Sequence, residues 1–309
     1  MIGVYLRRRS DFKVLGSTLD ALTARGLEWG WVLQADGKED PQEADFERWG
    51  RARVGRIPSN TINVGSVLLA ADAEYVPYFA GIPTITIPYH WDNRLFKSRD
   101  DWIVCYTSEK HRLFVQALWG PRLKVPSPIV GWTEFDQTLW APPIPEIPRP
   151  YGVLYTMKLR VPEPWRNSLK GRAWYRFTCE MVKECYRQWG WTLVVKSRAK
   201  HGDPGWLRNL SPYYYLDDEM YPHTSWRLLR DAKEAVHFCS GVAWQAMALG
   251  VPHRTYRLPI PHVDHLPGME ILEVTYDGRL SPEQFRNEWI GVLDGKAGER
   301  VADVVARYA

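Results

Sequence analysis

The chain has 309 residues, 45% of them hydrophobic and 25% charged, which excludes a disordered chain, a collagen and a coiled coil and gives length for two medium domains. Lys and Arg total 40 against 36 Asp and Glu, a net charge of +4, so a polyanionic partner is permitted but not demanded. The 16 Trp, 16 Tyr and 23 Pro are less ordinary: they point to a very aromatic core or to surfaces that stack on something planar.

Ile2 to Leu6 reads as a buried strand. Ser10 is placed to cap a helix whose Phe12, Leu15, Leu19 and Leu22 share one face, and Gly26 stops it. Trp29 to Leu33 is the next strand, giving the β-α-β opening of a parallel sheet. Residues 35–53 are polar and read as a loop or surface helix. An apolar run follows over 61–70, a short helix over 74–80, and a β-branched strand over Thr84 to Ile87. A strand over Trp102 to Tyr106, a helix from Ser108 to about Trp119 and a strand over Lys124 to Val130 complete this half.

The stretch LWAPPIPEIPRP, residues 139–150, favours an extended, semi-rigid spacer over helix or central strand. The expected organisation is therefore a first domain over 1–138, a linker over 139–150 and a second domain over 151–309. The last helix of the second domain is free to pack back on the first. The second half repeats the alternation. Strands are expected at 152–155, 192–196, 235–238 and 253–256, and helices at about 171–189, 224–232 and 242–249 and from Ser281 onward. The fold class is α/β, with two Rossmann-like domains facing across a cleft, where ligands sit at the carboxyl ends of strands.

Four cysteines without a C-x-x-C pair fit reduced thiols in a cytoplasmic protein. No signal peptide and no membrane span are expected. Trp29, Trp31, Trp102, Trp189 and Trp191 fall in or beside strands and are expected in the core. Trp91, Trp132, Trp165 and Trp206 fall in loops, where they could meet a ring.

Several segments could carry chemistry. In VHFCSGVAWQAMALGVP, residues 236–252, a strand gives way through Cys239-Ser240-Gly241 to a helix. That turn offers backbone N–H groups and a positive dipole end to a phosphate, or it is an ordinary tight corner. In IPYHWDNRLFK, His90 and Asp92 follow a strand, and a neutral histidine there could take a proton from a hydroxyl. A loop histidine bonded to backbone is the commoner fate. TMKLR, residues 156–160, places Lys158 and Arg160 after a strand, able to neutralise a diphosphate or to remain solvated. VVKSRAKHG offers Lys196 and His201 in the same way. Arg7, Arg8 and Arg9 follow the first strand and could meet phosphates, or form a solvated turn. There is no P-loop, no G-x-G-x-x-G, no H-E-x-x-H, no G-x-S-x-G and no D-x-D.

In order, these segments resemble the GT-B-fold glycosyltransferases, in particular the branch of CDP-glycerol glycerophosphotransferases and capsule-type transferases. IPYHWDNRLFK resembles that branch's W-H-G-x-x-x-K element through His90 and Lys97. DWIVCYTSEKHRLF matches its strand and helix at Ser108 and Glu109. PIVGWTEFD matches the end of its first domain at Gly131 and Asp136. HFCSGVAWQAMALGVP resembles its donor-site S-S-v-a-x-E-a-l-x-l-G-k-P. The family glycine is Trp91 here, its Pro-Arg is Thr133-Glu134, and its ribose-binding acid is Gln245.

The resemblance implies a nucleotide-sugar donor, a UDP-sugar first, with no tightly bound cofactor and no metal. Thr156, Lys158, Arg160, Lys196, His237, Cys239, Ser240, Gly241 and Gln245 would hold the donor. His90 or Asp92 would act as general base. Arg7, Arg8, Arg9, Trp91 and Lys97 would meet the acceptor. That acceptor is a hydroxymethylated base in double-stranded phage DNA, a cell-envelope polymer or a small metabolite. An inactive nucleotide-sugar-binding module and a sugar epimerase are the other readings.

Overall fold

A computed structural model of the chain describes residues 1–33, 41, 44–50, 66–71, 76, 79–88, 102–119, 127–156, 167–197, 205–216, 219–238, 240–256 and 280–309. It divides into two compact units, Met1–Trp140 with Arg286–Ala309, and Ala141–Phe285.

In the first unit β1 (Ile2–Leu6), β2 (Trp29–Leu33), β3 (Val67–Ala71), β4 (Thr84–Ile87) and β5 (Ile103–Val104) form a parallel sheet in the order β2-β1-β3-β4-β5. β1, β3, β4 and β5 are buried along their whole length, which is why they read as unbroken apolar or β-branched runs rather than alternating ones. Helix α1 (Phe12–Ala24) buries Phe12, Leu15, Leu19 and Leu22. Ser10 does not cap it but lies in a 3-10 turn, Arg9–Asp11. The carboxylate of Asp11 accepts the N–H groups of Arg7 (2.8 Å) and Arg8 (3.2 Å) instead.

The expected surface segment at 35–53 holds a core piece. The short helix α2 (Ala44–Glu47) carries Phe46 inward. Phe46 meets Phe12 edge-on at 5.5 Å, and Trp49 stacks on Phe12 at 5.6 Å and meets Trp29 at 6.0 Å. The indole N–H groups are satisfied by Thr23 for Trp29 and by Asp20 for Trp49. Part of the aromatic excess is thus one buried cluster. The helix expected over 74–80 is not seen at Val76, Phe79 or Ala80. Helix α3 (Glu109–Trp119) is capped by Ser108, whose hydroxyl accepts the N–H of His111 at 3.1 Å. Helix α4 (Thr133–Trp140) ends where the prolines begin.

The first unit is completed from the far end of the chain. The terminal helix Ala297–Ala306 packs on α1 and α4. Asp136 on α4 accepts its first N–H groups, from Ala297 (3.2 Å) and Gly298 (2.7 Å), and so caps a helix that is distant in sequence. Gly131 lies at φ +90, where a Cβ would stand 3.0 Å from the Val292 carbonyl and the Arg300 guanidinium.

In the second unit β6 (Gly152–Tyr155), β7 (Leu193–Ser197), β8 (Tyr214–Leu216), β9 (Glu234–His237) and β10 (His253–Thr255) form a parallel sheet in the order β10-β9-β6-β7-β8. Helices α5 (Leu169–Trp189), α6 (Thr224–Arg230) and α7 (Val242–Leu249) belong to this unit. Residues 141–150 are not a free spacer. Ile144 and Ile147 are buried in this unit's core with Tyr151, Val153 and Leu228, and Arg227 and Arg230 donate to the carbonyls of Pro142 and Ala141. Trp191, expected in the core, is 74% exposed, whereas the loop residue Trp132 is buried. Among the described residues no helix is long and apolar enough to cross a membrane.

Candidate functional site

Each sheet has one place where strand order reverses: between β1 and β3 in the first unit, and between β6 and β9 in the second. The chain leaves neighbouring strands there in opposite directions and opens a crevice at their carboxyl ends. The two crevices are built differently.

At the first, the loop after β1 carries Arg7, Arg8 and Arg9. Asp11 fills the position an anion would take, accepting both backbone N–H groups and standing 3.5 Å from the Arg8 guanidinium. Burial is the largest influence on its carboxyl and raises its pKa, against the pull of Arg8 and the two N–H groups. Arg9 is held by Asp45 through three bonds of 2.8 to 3.0 Å. Two of the three arginines therefore already have carboxylate partners.

At the second, six of the expected donor residues are described, at the ends of adjacent strands or in the turn and helix that follow β9. Thr156 follows β6, and its N–H donates to the Lys196 carbonyl at 2.9 Å. Lys196, on β7, is buried, and its ammonium donates to the Ser197 carbonyl at 2.8 Å. His237 ends β9 fully buried. Its Nδ1 accepts the Ser240 N–H at 3.4 Å, and its ring stacks on His253 at 5.6 Å. The Ser240 hydroxyl accepts the N–H of Val242, also at 3.4 Å. Gln245 stands one turn into α7 and is buried.

Four of the N–H groups expected free at this turn are occupied. Besides those of Ser240 and Val242, those of Ala243 and Trp244 bond the carbonyls of Ser240 and Gly241. The two 3.4 Å contacts are long, so a well-placed acceptor could replace them at little loss. Gly241 lies at φ −57, which any residue adopts. Among the described residues, a Cβ there would meet nothing nearer than the Trp244 ring at 3.8 Å. Neither its backbone conformation nor any described neighbour requires glycine at this position.

His90, Trp91, Asp92, Lys97, Lys158, Arg160, His201 and Cys239 lie outside the described residues. β4, which leads to His90, ends at Ile87. Two resembling segments serve structure: Ser108 caps α3 and Glu109 pairs with Arg112, while Gly131 and Asp136 anchor the terminal helix. Sequence reasoning missed Asp11 and Asp45 as partners of the arginine run. The four-residue spacing from Arg7 to Asp11 was the available signal for the first. It also missed the stacking of His253 on His237, for which sequence offers none. Among the described residues no three His, Cys, Asp or Glu side chains are grouped as a metal site requires.

No protein-family model and no curated sequence matches the chain. Solved structures do. The UDP-GlcNAc 2-epimerase of Methanocaldococcus jannaschii, in complex with UDP-GlcNAc and UDP, is similar at a TM-score of 0.58 and 12% identity, covering 99% of both chains. The wall teichoic acid polymerase TagF is similar at 0.58 and 10%, covering 99% of this chain and 88% of its own. The UDP-GlcNAc 2-epimerase of Neisseria meningitidis, bound to UDP-GlcNAc, gives 0.54 and 12%, covering 99% of both. The chain therefore has the α/β fold of the GT-B class, with two Rossmann-like domains.

Proposed function

We propose that the chain is a cytoplasmic glycosyltransferase of the GT-B type that takes its sugar from a nucleotide-diphosphate sugar held by the second unit. One observation carries the reading. Thr156, Lys196 and His237 lie at the carboxyl ends of β6, β7 and β9, around the place where strand order reverses, with Ser240 and Gln245 in the turn and helix that follow, and a Cβ on the adjoining Gly241 would meet no described atom nearer than 3.8 Å. The bound UDP and UDP-GlcNAc of the similar structures support a UDP-sugar donor. The free thiols of Cys105, Cys179 and Cys185 fit a reducing compartment.

In this reading Lys196, with Lys158 and Arg160, neutralises the diphosphate. Ser240 and Gly241 receive its oxygens, flanked by Cys239 and His237, and the Gln245 amide bonds a ribose hydroxyl. The acceptor oxygen attacks the anomeric carbon as the bond to the diphosphate breaks. The hydroxyl proton passes to His90 or Asp92, and the nucleoside diphosphate leaves stabilised by the cations. Trp91 and Lys97 are proposed on the acceptor side with Arg7, Arg8 and Arg9. The acceptor is a cell-envelope polymer, which the likeness to TagF favours, or a small metabolite or a hydroxymethylated base in double-stranded phage DNA, which no comparison favours.

The likeness to two epimerases supports a second reading, isomerisation of the nucleotide-sugar itself. Incubation with a panel of nucleotide-sugars, with and without each acceptor, separates them. A transferase releases nucleoside diphosphate in step with a glycosylated acceptor. An epimerase yields an isomeric nucleotide-sugar, and a binding module yields neither while still retaining nucleotide. Ser240→Ala and Gln245→Ala should each weaken UDP binding roughly 10- to 100-fold, the loss of one or two hydrogen bonds. Undiminished binding in both would overturn the site.

A further inference from the structure

The second unit carries a charged feature that the donor site does not use. On α5, Leu169, Arg172, Arg176, Lys183 and Arg187 fall within an arc of about 60° on a helix of about 3.6 residues per turn, and all five are exposed. From Arg172 to Arg187 the seam runs about 22 Å at about 1.5 Å per residue. The carboxylate beside it, Glu180, is taken by Lys183 at 2.9 Å. Among the described residues no ion pair holds Arg172, Arg176 or Arg187.

This arrangement works against the helix that bears it. Arg172 with Arg176, and Lys183 with Arg187, are like charges one turn apart, an unfavourable arrangement on a helix. The first turn of α5 has no acidic residue, so the arginines near its start also oppose the helix dipole. Four cations share the seam with one carboxylate, Glu180, so the face keeps a positive excess. Two rings flank the cations: Tyr175, 53% exposed and between Arg172 and Arg176 in sequence, and Trp191, 74% exposed just past the helix end.

We infer that the exposed face of α5 binds a single strand of nucleic acid, whose phosphates follow the cations while bases stack on Tyr175 and Trp191. The cations stand in single file, which matches a linear polyanion, whereas a lipid surface recruits cations spread over a plane. The inference is independent of the nucleotide-sugar reading and survives its failure.

The test is fluorescence anisotropy of a labelled oligothymidylate with the full chain between 50 and 200 mM salt. Three or four phosphate contacts predict that log K falls with log salt at a slope of about −2 to −3. The double reversal Arg172→Glu with Arg176→Glu should weaken binding at least tenfold and flatten that slope by about 1 to 1.5. Far-UV circular dichroism and a melting temperature within about two degrees of wild type, expected for exposed helix positions, show that unfolding does not explain the loss. Tyr175→Ala should weaken binding several-fold at unchanged slope. The matched reversal Lys296→Glu with Arg307→Glu, on exposed residues of the other unit, should leave binding within about twofold. No binding at 50 mM salt, equal binding by wild type and the α5 reversal, or capture on phosphatidylserine vesicles without capture of the oligonucleotide overturns the inference.

Discussion

His111 and Asp136 sit buried in the same unit and respond to acid in opposite senses. The His111 Nδ1 accepts the N–H of Thr107 at 3.2 Å, while the Thr107 hydroxyl donates to the Trp289 carbonyl at 2.9 Å. Burial pushes the imidazole from its ordinary 6.5 down to about 3. Between those values the unfolded chain binds the proton and the folded one does not. The stability His111 contributes is therefore lost as pH falls from about 6.5 toward 3. Burial drives Asp136 the other way, from 3.8 up to about 6, against the pull of the Gly298 and Ala297 N–H groups. Its folded form holds the proton more tightly, so its contribution is present at low pH and lost as pH rises through 6. Asp136→Asn should steepen the loss of stability in acid, and His111→Asn, which keeps an acceptor near Nδ1, should flatten it. Urea denaturation at pH 7, 6, 5 and 4 measures both, and equal slopes in the two variants would refute the assignment. Asp11→Ala should cost about 1 to 3 kcal/mol in the same assay, because it strands the Arg7 and Arg8 N–H groups. Asp136 stood out in the sequence by resemblance, but its partners lie 161 and 162 residues away. No local pattern encodes such a bond.

Elements were legible where one short segment decides them. The apolar runs at Ile2–Leu6, Trp29–Leu33, Thr84–Ile87 and Gly152–Tyr155 are strands with the expected bounds; the first, third and fourth are buried throughout, and a doubly covered parallel strand needs no alternation. Val242–Leu249 likewise ends at Gly250, which takes the left-handed conformation at φ 71. Helix α4 was hidden by the prolines that follow it. The core role of Phe46 and Trp49 was hidden because their neighbours are charged and only a tertiary cluster selects these two rings. At the donor turn the order of small residues was readable, but the bonds that occupy its N–H groups were not. The packing of the terminal helix on α1 is close enough to test with one methyl. A Cβ on Gly298 would stand 2.5 Å from the Ser17 carbonyl carbon and 2.6 Å from its oxygen, main-chain atoms that cannot rotate away. Gly298→Ala should destabilise the first unit by about 1 to 3 kcal/mol by overpacking. A melting temperature within a degree of wild type would refute that contact.

At the scale of the whole molecule, the chain's two halves are not its two structural units. Residues 286–309 join the first unit, held through Thr107 to Trp289, Asp136 to Gly298, and Arg25 to Asp303. Removing residues 297–309 should abolish cooperative unfolding of the first unit while leaving that of the second. Limited proteolysis should then protect a fragment spanning about 141–285, and preferential survival of the 1–140 fragment would contradict the division. The same connectivity orders events during synthesis. The second unit is one continuous stretch and has all its parts once the ribosome has passed Phe285. The first has its sheet far earlier but lacks the helix that covers α1, so it must wait with that apolar face open to chaperones. The half made first is the half finished last, and a released chain truncated after residue 285 should carry a native second unit beside a protease-sensitive first one.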